Sequence, residues 1–222
     1  MTTLQMPLNE EKRIEALRRY DILDTPPDGS FDHITKLAST IFNVPIAIIS
    51  LVDTDRIWFK SAHGLTVNQI DRVPGLCASA ILSSDIYVVG DACSDPRTLS
   101  NPLVAGEFGL KFYAAVPLQT DEQCNLGTLC IIDKVPRTLS EKEQLILKQL
   151  GDIVMDEMEL RLSLRQTVTN VKKLTSDIGY HLDDTIEEIE NLSLEEQKKK
   201  MLEYLDASKI FLKNVENQMD QL

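Results

Sequence analysis

Proline is absent beyond Pro136, and after residue 140 glycine occurs only at Gly151 and Gly179. Nothing there interrupts a helix, so the rest of the chain is expected to be helical. Histidine is scarce as well. His33, His63 and His181 are scattered and form no H-x-x-x-H pattern. The four cysteines, Cys77, Cys93, Cys124 and Cys130, follow one another at spacings of 16, 31 and 6, with no C-x-x-C. Neither set has the spacing of a zinc or cluster site. The cysteines are expected to be reduced, partly buried, small apolar side chains. Positive charge is the minority sign: 23 Lys plus Arg stand against 35 Asp plus Glu, a net charge of −12. That argues against nucleic acid or an anionic membrane as a partner, since both reward clustered Lys and Arg. The longest near-apolar run, Val44 to Val52, contains Pro45 and Ser50 and is far shorter than a membrane span. The opening MTTLQMPLNEEKR lacks the apolar centre of a signal peptide. A cytoplasmic location is expected.

What is present is enough apolar material for a core, 43% of 222 residues, arranged in segments of mixed period up to about residue 140. Asn9 is placed to cap a helix through Tyr20, with Ile14 and Leu17 on one face. DTPPDGS (24–30) is a turn. Phe31, Ile34, Leu37, Ala38 and Ile41 recur at helical spacing, which predicts a second helix from Phe31 to Phe42. PIAIISLVD (45–53) has the composition of a strand buried on both faces. DTDR is its hairpin turn and RIWFKSAHG (56–64) the return strand. IYVVGDA (86–92), KFYAAVPLQT (111–120) and LGTLCIIDK (126–134) complete about five strands. The sum is an α+β domain around an antiparallel sheet.

A capping box, Ser140 with Glu143, opens the helical part. From Leu164 the positions 164, 168, 171, 178, 182 and 189 are apolar, with Thr175 and Thr185 between them, in steps of four and three. That is a heptad seam. The helix is expected to end near Asn191, and Ser193 with Glu196 forms a second capping box. Met201, Leu205, Ser208, Leu212, Val215, Met219 and Leu222 continue the same pattern. Two such helices in one hairpin leave their seams half covered, whereas two hairpins make a four-helix bundle. A homodimer is therefore expected, with domains at 1–160 and 161–222.

The segment from LNEEKRIEALRRYDILDTPPDGSFDHITKLASTIF to KSAHG resembles the opening of a GAF domain of the bacterial sensor type. GDACSDPRTLSNPLV, KFYAAVPLQT and LGTLCIIDKVPRTLSEKE follow in the order that family has them, over roughly residues 8–165. The resemblance implies a PAS-like antiparallel sheet with helices on one side and a ligand-sized pocket under loops on the other. More distantly, the tail resembles the dimerisation and phosphotransfer hairpin of sensor histidine kinases, whose first helix carries H-E-L-R-T-P. Here the stretch is His181-Leu182-Asp183-Asp184-Thr185-Ile186, which keeps the His and the Thr but not the adjacent acid, the Arg or the Pro. The sequence carries none of the boxes of an ATP-binding domain, so no kinase activity is expected from this chain alone.

These readings yield candidate sites. His181, with Thr185, is a candidate phosphoacceptor, set against its being a surface histidine on an acidic helix. Trp58, Asp91, Arg97 and Tyr113 are candidate ligand contacts. Against this, Asp91, Asp95 and Arg97 would equally bind their own loop in an Asx-turn before Pro96. Within the pairs Trp58–Phe59 and Phe112–Tyr113 the two rings point to opposite faces of the sheet. Bilin-binding GAF domains carry a Cys–His pair where this chain has Leu103 to Phe108, which has neither residue and argues against a covalent bilin; the cofactor is otherwise unknown. The function expected is a sensory or regulatory protein, either part of a two-component system or a front portion of a sensor kinase. Its partners would be a second copy, a response regulator or kinase, and a small molecule in the GAF pocket. The alternatives are a histidine phosphotransfer protein using His181 and a cysteine-dependent redox enzyme of GAF fold.

Overall fold

The computed structural model describes residues 7, 9–99, 101–190 and 193–219. The chain divides into two compact units, Met1–Leu164 and Arg165–Leu222.

The first unit begins with α1 (Glu10–Arg19) and α2 (Gly29–Phe42). Asn9 caps α1 by accepting a hydrogen bond from Lys12 N. Asp28 caps α2 by accepting from Ser30 N at 3.1 Å, which draws Gly29 and Ser30 into the first turn, ahead of the expected start at Phe31. The strands are β1 (Ile46–Val52), β2 (Arg56–His63), β3 (Gln69–Asp71), β4 (Tyr87–Val89), β5 (Phe112–Gln119) and β6 (Asn125–Asp133). Two short helices, α3 (Leu76–Ala80) and α4 (Pro102–Ala105), flank β4 in the sequence. The sheet has the order β3-β2-β1-β6-β5-β4, and every pair is antiparallel. The fold is the α+β antiparallel architecture expected, with a sixth strand. Gln69-Ile70-Asp71 is three residues long with one apolar side chain, too little for a period to register.

All seven residues of β1 are buried, as its unbroken apolar run requires. Ala47, Ile49 and Leu51 join the core under the helices, and Ile46, Ile48 and Val52 join a second apolar cluster on the opposite face. The paired aromatics divide likewise: Trp58 and Phe112 lie on the helix side, Phe59 and Tyr113 on the other. Helix α5 (Glu141–Glu190) starts at the predicted capping box. Ser140 N donates to Glu143 Oε2 at 2.8 Å, and Glu143 N donates to Ser140 Oγ at 3.3 Å. Its first turns bury Leu147, Leu150, Val154 and Met158. Gly151 permits this approach, since a Cβ there would stand 2.7 Å from Val116 Cγ2 on β5.

The second unit holds the remainder of α5 and α6 (Leu194–Met219). Ser193 N donates to Glu196 Oε2 at 3.2 Å, the second predicted box. The expected helix end at Asn191 and the seam residue Leu222 lie outside the described residues, as do the side chains of Ile189, Leu212, Val215 and Met219. Among the described residues no helix is long and apolar enough to cross a membrane.

A buried ionic cluster ties α1 to the sheet. The Glu10 carboxylate accepts from Arg13 Nε and Nη2 at 2.8 and 2.7 Å and from Arg72 Nη1 at 2.6 Å. Arg13 and Arg72 are each 2% exposed. Arg13 Nη1 reaches the carbonyls of Asn125 and Leu126, and Arg72 Nη1 those of Asp53 and Thr54. Burial raises the Glu10 pKa, but the hydrogen bonds from both guanidinium groups outweigh it, and the carboxyl is held below its ordinary value. Glu10→Gln is expected to cost about 1.5–3 kcal/mol at neutral pH, the range for hydrogen bonds to charged groups. Because the folded pKa is depressed, this contribution is present above the ordinary carboxylate pKa and fades as pH falls through the folded one. The gap between wild type and variant in urea unfolding should therefore close in acid.

Candidate functional site

Strand β2 carries one residue more than β1 can pair. Phe59 faces Ser50 and Ser61 faces Ile49, so Lys60 has no register partner. This bulge sends two consecutive side chains, Lys60 and Ser61, to the α2 side of the sheet. Ser61 Oγ donates to Asp32 Oδ1 at 2.6 Å and lies 2.8 Å from Thr35 Oγ1, both on α2. Lys60, 5% exposed, donates through Nζ to Thr25 Oγ1 at 2.8 Å and to the Pro26 carbonyl at 2.9 Å. Its ammonium lies 5.5 Å from the Phe31 ring centre and 5.9 Å from that of Trp58.

Around these residues opens a groove of about 840 Å3. Trp58, Lys60 and Ser61 contribute from β2, and Asp32, Thr35 and Lys36 from α2. The 24–27 turn closes one side, and His63, Leu65, Asn68 and Gln69 another. Asp24 on its rim accepts two hydrogen bonds from Arg56, at 2.9 and 2.6 Å, which hold its carboxyl below the usual range. Carboxylates, hydroxyls, ammonium groups and an imidazole surround an indole. The arrangement suits hydrogen bonding to a small polar ligand.

The turn that walls the groove is also fastened to α5. Asp28 pairs with Arg161 through the oxygen not used for capping, and the hydrogen bond from Arg161 lowers the Asp28 pKa. Arg161 also donates to Glu157 at 2.9 and 2.7 Å. Its guanidinium lies 4.8 Å from the centre of the Phe31 ring, the same ring Lys60 approaches. Tyr20 OH donates to Glu159, and burial followed by this bond raises the tyrosine pKa. Two residues within one turn of α5, Glu159 and Arg161, are thereby joined to the end of α1, the start of α2 and the groove wall.

Of the candidate ligand contacts, Trp58 lines this groove. Tyr113 is buried on the opposite face, where its hydroxyl donates to Cys77 Sγ at 3.3 Å. That face, where the resemblance puts a pocket, is occupied by the apolar cluster of Ile48, Ile57, Phe59, Leu76, Ile81 and their neighbours. Asp91 accepts from Cys93 N at 3.1 Å and Ser94 Oγ at 2.8 Å, within its own loop. Arg97 pairs with Asp95, donates to the Val88 carbonyl at 2.8 Å and stacks 4.7 Å from the Tyr87 ring. The four candidates are thus not gathered into one site. His181 is exposed on α5, and Thr185 Oγ1 donates to the His181 carbonyl at 2.6 Å. All four cysteines are free, with Cys93 exposed and the other three buried. Among the described residues no group of His, Cys, Asp or Glu is placed to hold a metal.

Sequence reasoning missed Asp32, Thr35, Lys60 and Ser61. The one available signal was a lysine directly after the apolar run Ile57-Trp58-Phe59. The link from the groove wall to α5 can be tested because Asn caps helices about as well as Asp. Asp28→Asn keeps the cap and removes only the Arg161 ion pair, so it should cost less than about 1 kcal/mol. Asp28→Ala removes both and should cost about 1–2 kcal/mol. Urea denaturation of the two variants separates the terms.

Residues 26–158 match the sequence model of the GAF domain. A cyclic di-GMP phosphodiesterase of Pseudomonas aeruginosa is 39% identical over 156 residues, which are 70% of this chain and 27% of that protein. The chain therefore spans about a quarter of that relative's length. Among solved structures, free methionine-R-sulfoxide reductase from Neisseria meningitidis superposes with a TM-score of 0.51 at 21% identity, over 75% of this chain and 99% of that one. A GAF domain region from Geobacter sulfurreducens gives 0.50 at 18% identity, over 68% and 97%. Identities that low speak for the fold alone, and the sheet order, the helix layer and the match over residues 26–158 agree with it. The chain belongs to the GAF domain family.

Proposed function

We propose that this chain is a regulatory sensor module. Its GAF domain receives a small polar ligand in the groove between α2 and β2. It passes the change along α5 to a helical hairpin that associates with a second copy. The observation that carries this reading is the double role of α5. Its first turns are buried in the GAF core, while Leu164, Val168, Val171, Ile178 and Leu182 further along are 45–57% exposed. Met201, Leu202, Leu205, Ile210 and Phe211 on α6 are 52–65% exposed. Burying the remaining surface of such side chains is worth about 1 kcal/mol apiece. Summed over two copies, that exceeds the roughly 4–15 kcal/mol that association costs. The regulated output is a signalling reaction, of which cyclic di-GMP hydrolysis in the Pseudomonas relative is one instance. Leu182→Glu in the whole chain should raise the dimer dissociation constant at least about tenfold, read by sedimentation across protein concentrations. An unchanged constant would remove the hairpin from the interface.

A second reading makes His181 a phosphoacceptor serving a kinase or a response regulator. Its exposure favours this, together with a threonine one turn further on. The position after the histidine, where a carboxylate would take the ring proton, is Leu182. General-base assistance of that kind is worth about 10²–10⁴ in rate. Weak or no acid-labile phosphate is expected on the wild type when a kinase domain is supplied in trans, and His181→Gln should leave fold and association intact. Strong labelling that disappears in His181→Gln would favour phosphotransfer instead.

A further inference from the structure

Cys93 is the exposed one of the four cysteines, and Lys111 Nζ donates to its Sγ at 2.7 Å. The backbone brings the two side chains together. Beyond the last β4–β5 register pair, Val89 with Tyr113, Ala92 N donates to the Lys111 carbonyl at 2.7 Å. Lys111 N in turn donates to the Asp133 carbonyl at 2.9 Å, so Cys93 follows a residue pinned to an extension of the sheet. The turn that carries the thiol is fixed as well. Asp91 accepts from Cys93 N and Ser94 Oγ through its carboxylate, and from Ser94 N and Asp95 N through its carbonyl, the last two at 3.1 Å. The neighbouring carboxylates are engaged elsewhere: Asp91 in this turn, and Asp133 with Lys134 N at 2.6 Å and with the Arg137 guanidinium. A nucleophilic sulfur and a primary amine are thus held in contact at the surface, outside the groove between α2 and β2.

We propose that Cys93 and Lys111 form a modification site at which an acyl thioester, such as acetyl coenzyme A, acylates Lys111 by way of Cys93. The Cys93 sulfur attacks the thioester carbonyl carbon. A C–S bond forms, the donor's C–S bond breaks, and the donor thiolate leaves as a thiol with the proton that Cys93 gave up. Lys111, having lost one proton to water, then attacks the same carbon through Nζ. A C–N bond forms and the C–S bond to Cys93 breaks. The proton shed by the nitrogen returns to the Cys93 sulfur. The sum consumes one thioester and one lysine ammonium and yields an amide, a free thiol and a proton, with nothing oxidised or reduced. Cys93 emerges unchanged.

The arrangement favours both steps. The first needs an accessible sulfur, which Cys93 supplies and the three buried cysteines do not. The second is intramolecular. A separation of 2.7 Å between nitrogen and sulfur places the amine next to the carbonyl carbon of any acyl group on that sulfur. The Cys93 sulfur is also what chiefly raises the Lys111 pKa, through the hydrogen bond and then through its charge. An acyl group on that sulfur removes both causes, so the amine gives up its proton more readily once its target is in place. The product is a neutral amide. It takes away the ammonium that holds Cys93 at the start of the 93–109 connection, so the modification releases that contact.

The test incubates the whole chain with acetyl coenzyme A and follows each lysine by peptide mass mapping. Lys142 and Lys148, exposed on α5, are the references, because the cysteines other than Cys93 are buried. Lys111 should gain an acetyl group at least about tenfold faster than either. In Cys93→Ser that advantage should vanish. Lys111→Arg keeps the positive charge and should trap the acetyl group on Cys93 as a thioester that hydroxylamine removes. The comparison among lysines is made within the wild-type chain, so it does not depend on a variant folding. The proposal is overturned if Lys111 in the wild type reacts no faster than Lys142 and Lys148, or if Cys93→Ser leaves its lead intact.

Discussion

One unpaired residue in β2 decides what the helix-covered side of the sheet can offer. In regular alternation Lys60 would share a face with Trp58, and Ser61 would point the other way. With Lys60 left out of the register, both face α2. The lysine then fastens the 24–27 turn from below, and the serine joins Asp32 and Thr35 in one hydrogen-bonded group. Without the bulge, Ser61 would turn to the far face, and Asp32 and Thr35 would lose the hydroxyl they share beside Lys60.

The same turn explains how a change in the groove can be felt at a distance. Two cations approach the Phe31 ring, Lys60 from the sheet and Arg161 from α5, and Arg161 is held in turn by Asp28 beside the turn. The path from groove to helix consists of a few direct contacts within one compact unit, with no long relay of apolar side chains. Each contact is polar or cation–π, so each can exchange for water at modest cost, which suits a contact that has to switch.

How much of this was legible in the sequence differs from element to element. The run Ile46–Val52 is so uniformly apolar that a strand buried on both faces was the straightforward reading. Ser140 with Glu143 and Ser193 with Glu196 announce their helices through a fixed spacing of side-chain chemistry. Strand β3 was not legible because its pairing to β2, and no pattern of its own, makes it a strand. The bulge was not legible because it is a relation between two strands, and RIWFKSAHG alone does not show which residue its partner will skip. For the same reason the sequence did not show that Ser61 joins Trp58 and Lys60 on one face. Asp91, Arg97 and Tyr113 do not meet Trp58, because the loop after β4 spends its polar groups on itself and Tyr113 turns to the far face.

The sheet itself has a consequence for how copies of this chain can meet. Its inner strands are seven to nine residues long, but the two outermost, β3 and β4, have three each. An edge that short presents too few free amide and carbonyl groups to template another strand, which is how many proteins avoid open-ended sheet growth. Self-association through the sheet would be unlimited in number, whereas association through helices closes at a fixed count. A protein that must respond to a signal with a defined change needs the second kind, and the brevity of β3 and β4 removes the first from competition.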